Sequence, residues 1–345
     1  MAGETEPVDL TGAPYVHGPA EATPLRRPDS VRRTLSVDST WPDGRGGPTV
    51  VVARARDLHT RRDGRGEVLA DDTLRASLAP DRTIEKIATD AERPGVARIG
   101  DLVGARGGGR LRDALATAMP AEVAAGTPLH LLVDDLAGAS LVAGFAFSEW
   151  TEDWMRPPGD NERTARRMEG ICTGFQPGSR ALNADGTGRA AHRMRAVAPL
   201  PRPDDPSGWH ELPADRPVVS ARRARRMDLW LAGEDVLVDA FFQDSAIRPQ
   251  GGRIAVHEYR VEARIERATG NIAAVVADPR VLPYLECPLA VLTVDRIVGT
   301  PATALRQTVL DRLRGTAGCT HLNDVLRALA EVPLLARALS SSGSG

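Results

Sequence analysis

The sequence predicts an α+β fold: an antiparallel β-sheet, with a half-barrel among its forms, packed against C-terminal helices and carrying a large mixed α/β insertion. Three observations predict it. Segments of period two rich in β-branched residues occupy residues 31–60 and 225–279. After Pro283 the apolar period changes to a helical one. Strands that come first and helices that come last indicate α+β, not a doubly wound sheet, which would alternate them.

Taken in order, residues 1–30 are rich in Pro, Gly, Thr and Glu and read as a disordered arm. One elaborated domain then spans 31–338, with 339–345 as a disordered tail. VRRTLSVDSTWPDGRGGPTVVVARARDLHT reads as a hairpin around the Gly-rich turn PDGRGG. Residues 59–217 form the insertion: a polar start to about residue 80, a weak helical pattern over 83–115, and a flexible loop at GARGGGR (104–110). That loop lacks the lysine of a P-loop and the framing of a dinucleotide fingerprint. GTPLHLLVDDLAGASLVAGFAF (126–147) reads as strand-turn-strand about VDDLAG, and a helix is expected over 160–173. RRMDLWLAGEDVLVDAFFQDSAI and AVHEYRVEARIERATGNIAAVVADP alternate, with ATGN as a turn. ECPLAVLTVDRIVG and PATALRQTVLDRLRG read as helices, the second capped by Thr300, with Pro301 at its first position and Gly315 past its end. Thr320 is the expected cap of a last helix.

The net charge of −2, from 44 basic and 46 acidic residues, draws the chain to neither nucleic acid nor an anionic membrane. RRARRMD (222–228) reads as a solvated rim or an anion contact. No uninterrupted apolar run reaches about 18 residues, and MAGETEPVDLTGAP has no secretory pattern, so a cytoplasmic location is expected. Three cysteines cannot all pair, and there they stay reduced.

The chemistry-bearing residues gather toward the C-terminus. Period two puts His257, Tyr259, Val261, Ala263 and Ile265 on one face of a strand, so His257 points to a core. Cys287 and Cys319 each precede a helix, where backbone amides and the helix dipole favour thiolate. His321 and Asp324 share a helical face. Cys287, Cys319, His321 and His257 make a tetrahedral sulfur–nitrogen ligand set for zinc or iron, with Asp324 orienting an imidazole. C-x-H is not an established metal spacing, and buried thiols with a capped helix would produce the same pattern. A Cys319 nucleophile with a histidine base is a further alternative. Asp38, Asp57, Asp228, Asp239 and Asp244 recur on the strands, where a pair could serve as acid and base, with turn formers or partners for arginine as the plainer reading.

The blocks RRTLSVDSTWPDGRGG with ARDLHT, HEYRVEARIERATGNI, PRVLPYLECP and GTAGCTHLNDVLRAL together resemble a bacterial family, domain of unknown function 2889, over residues 31–60 and 218–335. The resemblance matches His257, Cys287, Cys319 and His321 to family motif positions and supplies no activity. Cys172 lies in the insertion, outside the expected site. The expectation is a metal-dependent enzyme of small-molecule metabolism. Cys287, Cys319, His321 and His257 would be its ligands, and His257 and Asp324 its catalytic groups. Arg280 and Tyr284 would contact an anionic small-molecule substrate. A non-catalytic metal or cluster carrier and metal-free cysteine acyl transfer are the alternatives.

Overall fold

The computed structural model describes residues 6–151, 167–183 and 194–340. The fold is α+β. Among the described residues one antiparallel sheet is built from β1 (Ser30–Thr40), β2 (Thr49–Thr60), β3 (Gly66–Leu78), β4 (Ile84–Ala88), β5 (Arg195–Val197), β6 (Ser220–Ala232), β7 (Asp235–Ile247), β8 (Arg253–Glu266) and β9 (Ile272–Val281). The order is β4-β3-β2-β1-β6-β7-β8, and β5 and β9 share the last edge of β8. The expected first hairpin is β1–β2. β6–β7 turns at Gly233 and β8–β9 at Gly270, both with positive φ. The polar stretch after residue 59 is not irregular: β3 pairs with β2 across a bulge at Asp57/Leu58, its first residues exposed and Asp72, Leu74, Ala76 and Leu78 buried. β4 opens the segment expected to be helical from residue 83; 3₁₀ turns follow at Pro94–Val96 and Ile99–Leu102, and α-helix begins only at α1 (Gly109–Ala118), at the end of the glycine cluster.

The expectation for 126–147 is overturned. Pro128–Val142 is a helix, preceded by the short α2 (Pro120–Ala125) and here termed α3. Thr127 caps it by accepting from His130 N (3.2 Å), and Pro128 occupies its first turn. α3 is apolar nearly all round because it is buried nearly all round, which erases the helical period. Asp134 and Asp135, read as a turn, lie mid-helix with Arg327 and Arg225 as partners. Pro128–Glu149 is 22 residues long and apolar enough to cross a membrane, and 67% of its apolar window is buried inside the fold.

One apolar core lies between β1–β4 and α1–α3, and a second between β6–β9 and the C-terminal elements. Those elements depart in detail from the sequence pattern. Cys287–Ile297 is a 3₁₀ helix. The next α-helix, α4 (Leu305–Arg312), starts after a 3₁₀ turn, so Thr300 does not cap it. Gly315 follows at φ +57. In α5 (Thr320–Ala328) Cys319, not Thr320, holds the N-cap position. The helix expected at 160–173 lies outside the described residues as far as 166, and residues 169–172 are turn and bend. The tail beyond 340 and the first five residues also lie outside them. Residues 6–29 carry neither helix nor strand. They run against the sheet, where Ala20 N donates to Glu258 Oε1 (2.6 Å) and His17 meets Asp278 at 2.7 Å.

The basic cluster 222–228 is not a rim: Arg222, Arg223, Arg225 and Arg226 are all buried. Each meets a carboxylate, Asp38, Asp244, Asp135 and Asp239 respectively. Arg33 and Asp57, directly opposed on β1 and β2, make a bidentate pair at 2.6 and 2.6 Å. Removing one member of such a pair leaves a buried charge uncompensated. Arg33→Met should therefore lower the unfolding free energy by about 3–5 kcal/mol in urea titrations, and Arg33→Met with Asp57→Leu should recover most of it. Equal losses in the two variants would show that the charge pair is not the cause.

Two buried histidines give the fold a pH dependence. Burial, then Arg306 beside His130 and Arg56 beside His210, pulls each imidazole down to about 3. His210 sits between Thr34 Oγ1 (2.8 Å) and Ser36 Oγ (3.0 Å). Both stay neutral in the fold while the unfolded chain protonates near pH 6.5. Stability is complete above that pH and falls as pH drops below it, by about 1.4 kcal/mol per pH unit for each histidine. Urea unfolding from neutrality to about pH 5 should show the decline. A flat profile would contradict it.

Candidate carboxylate–imidazole and thiol centres

Three adjacent strands place Arg223, Asp244 and His257 in one row. Arg223 on β6 opposes Asp244 on β7, which opposes His257 on β8, all on the face covered by the C-terminal helices. Arg223 donates from Nε to Asp244 Oδ1 (2.8 Å) and from Nη2 to Oδ2 (3.0 Å). Its Nη1 donates to Asp324 Oδ2 (3.1 Å) on α5. Burial would raise the Asp244 carboxyl, but Arg223 and the neighbouring imidazoles hold it well below the usual carboxylate range. Gly138 of α3 makes room for this guanidinium, since a Cβ there would overlap Arg223.

α5 brings the fourth member. His321, one residue inside its N-terminus, stacks on His257 with ring centroids 3.6 Å apart and planes at 20°. Its Nε2 lies 3.7 Å from Asp244 Oδ2, and His257 Nδ1 lies 3.5 Å from the same oxygen with no other partner. Asp244, His257 and His321 each present a ligand atom within 4.8 Å of the others. Burial, then His257, pushes the His321 imidazole well below its ordinary value, so it is neutral with a lone pair to offer.

The expected ligand set divides at His321. His257 and Tyr259 are two residues apart on β8, roughly 6.5–7 Å along the strand. His321 packs over the first and Cys319 over the second. Cys319 Sγ is 3.7 Å from His321 Nδ1, on the side of the ring away from Asp244. Cys319 and Cys287 instead join Cys172, the cysteine set aside in the sequence, and Tyr259. Burial raises all three thiols, Cys172 to about 12 with the neighbouring Cys319 adding to it. Helix-end amides do not outweigh desolvation here, contrary to the thiolate expectation.

The remaining candidates are dispersed. Asp324 touches no imidazole; it accepts from Arg112 (3.1 Å) and Arg223, and reaches the row only through the latter. Arg280 faces the opposite side of the sheet beside Glu258, in a cavity of about 540 Å³ with Arg226, Arg260 and Gln243. It donates to Asp278 (3.0 Å) and Pro19 O (3.4 Å). Tyr284 lies edge-on to Phe175 at 5.2 Å, near the thiols. The sequence offers Asp244 as a turn former, an arginine partner or half of an acid–base pair, not as a neighbour of His257. A cross-strand reading of QDSAI against AVHEY could have found it, because both it and His257 lie on inward positions of neighbouring strands.

No curated protein and no solved structure matches the chain. Residues 221–334 match the family model described as "Protein of unknown function (DUF2889)". That segment holds Arg223, Asp244, His257, Cys287, Cys319 and His321 and leaves out Cys172. Over residues 221–334, a third of its length, the chain is thus similar to the DUF2889 family.

Proposed function

We propose that this protein is a metal-dependent enzyme of small-molecule metabolism, with divalent iron or zinc held by Asp244, His257 and His321. The observation that carries the reading is the convergence of two imidazole nitrogens and one carboxylate oxygen within 4.8 Å of one another, with Asp244 and His257 buried and His321 partly so. Two edges of that triangle, 3.5 and 3.7 Å, suit an ion roughly 2.0–2.2 Å from each ligand. Two histidines with one carboxylate is the donor set of non-haem iron sites that keep positions open, and of catalytic zinc sites with one open position. His257 Nδ1 otherwise has no hydrogen-bond partner, an expensive state for a buried nitrogen. Arg223 keeps the carboxylate ionised and fixes its direction, and Cys319 sulfur is placed to accept from His321 Nδ1–H, the tautomer that leaves Nε2 free.

In this reading His257 is a ligand, and Asp324 is a positioning residue acting through Arg223. The bound ion supplies Lewis acidity or an activated water. The substrate is a small molecule and the setting a cytoplasmic one that keeps the thiols reduced; Arg280 and its cavity, on the opposite face of the sheet, stand apart from this centre. A carrier that hands over its metal is the second reading; burial of Asp244 and His257 weighs against it, because delivery needs exposed ligands. A Cys319 nucleophile is disfavoured by the raised thiol.

Elemental mass spectrometry of the untagged protein should find iron or zinc at one ion per chain in this centre, lost in His257→Ala, in His321→Ala and in Asp244→Asn with circular dichroism unchanged. Absence of metal from both aerobic and anaerobic preparations would sink the proposal.

A further inference from the structure

We propose that Cys172, Cys287 and Cys319 form a second site, for one thiophilic divalent ion of the zinc class, with the Tyr259 hydroxyl as hydrogen-bond donor to the Cys319 sulfur. Three separate segments converge to make it. Thr173 N donates to Gly318 O (2.9 Å), and Thr173 Oγ1 donates to Thr316 O (3.0 Å) and Gly318 O (2.9 Å), tying the Cys172 turn to the residues just before Cys319. Cys287 enters at the start of its 3₁₀ helix, its N–H donating to Tyr284 O (3.3 Å). Gly174 permits the close approach: a Cβ there would stand 2.7 Å from Cys287 Sγ and 3.8 Å from Cys172 Sγ.

A second, independent feature points to a ligand. Tyr259 is fully buried, its hydroxyl has no oxygen or nitrogen partner, and it faces Cys319, Cys287 and Cys172. A phenol O–H left so in a protein interior is costly, and a thiolate bound to a metal ion is a strong acceptor for it. Sulfur donors select soft ions, whereas the neighbouring oxygen–nitrogen trio is a harder donor set, so the two centres differ in softness. The three sulfurs do not all lie within 4.8 Å of one another, so binding draws one of them inward; Cys172, the least covered, sits on the shortest element. The site does not require a metal in the Asp244 trio, since no sulfur is a ligand there, although Cys319 also touches His321.

The test is an anaerobic titration of the reduced, metal-free whole protein with Cd²⁺, followed by sulfur-to-metal charge transfer in the ultraviolet. The expected band saturates at one equivalent, persists in His257→Gln, and is lost in Cys172→Ser and in Cys287→Ser. Absence of the band in excess Cd²⁺, or its survival in Cys172→Ser, overturns the site. Iron with acid-labile sulfide on the isolated protein overturns the single ion in favour of a cluster. Should the serine variants misfold, alkylation of the native protein counted by mass decides: protection of all three thiols by Cd²⁺ supports the site, and equal reaction with and without it overturns it.

Discussion

The bidentate ion pair between Arg223 and Asp244 is the interaction on which the rest of this centre depends. Both groups are buried, where unpaired charge is intolerable, and each satisfies the other in fork geometry. The consequence reaches three elements. On the sheet the pair sets the carboxylate so that Oδ2 looks toward His257 and His321. On α3 it requires a residue without a side chain, which Gly138 supplies. On α5 it takes Asp324 as a third party, and so fixes how that helix, with Cys319 and His321 at its start, lies over β7 and β8.

The same device recurs wherever helices meet the sheet. Arg225 joins Asp135 of α3 and the Asp324 carbonyl of α5, while Arg327 of α5 joins Asp134 of α3. The layers are thus held by directional charge-assisted hydrogen bonds as well as by two apolar cores. Arginine suits this role because its planar fork binds carboxylates bidentately and it stays charged when buried. The sequence's reliance on arginine, with Lys86 as its lysine, is therefore matched to an interior use. Such pairs are only weak contributors to net stability, but they strongly penalise a shifted strand register, which would strand every charge at once.

That network also explains which elements could be read in advance. The β1–β2 hairpin and the alternating β8 were legible, since turn chemistry and one apolar face are local properties. Tyr259, Val261, Ala263 and Ile265 are all buried as period two requires, whereas Glu258 is buried on the other face because the N-terminal segment covers it. α3 was not legible: a helix covered on all sides shows no amphipathic period, and its two aspartates imitate a turn until their arginines are known. β3 was obscured because its first half is exposed and alternation begins only at Asp72, so its pairing with β2 sets its full length.

By itself, then, the sequence determined the α+β order, the inward direction of His257, and the placing of His257, Cys287, Cys319 and His321 in the last third of the chain. These follow from periodicity and from residue chemistry, which need no knowledge of distant contacts. Tertiary structure alone decided how those residues are grouped. Asp244 meets His257 only through strand pairing, His321 joins them only because α5 docks with its N-terminus over β8, and Cys172 reaches Cys287 and Cys319 only because its turn is hydrogen-bonded to residues 316–318. Each is a contact across tens to hundreds of residues, set by packing and by charge pairing in the interior, and no local pattern encodes it.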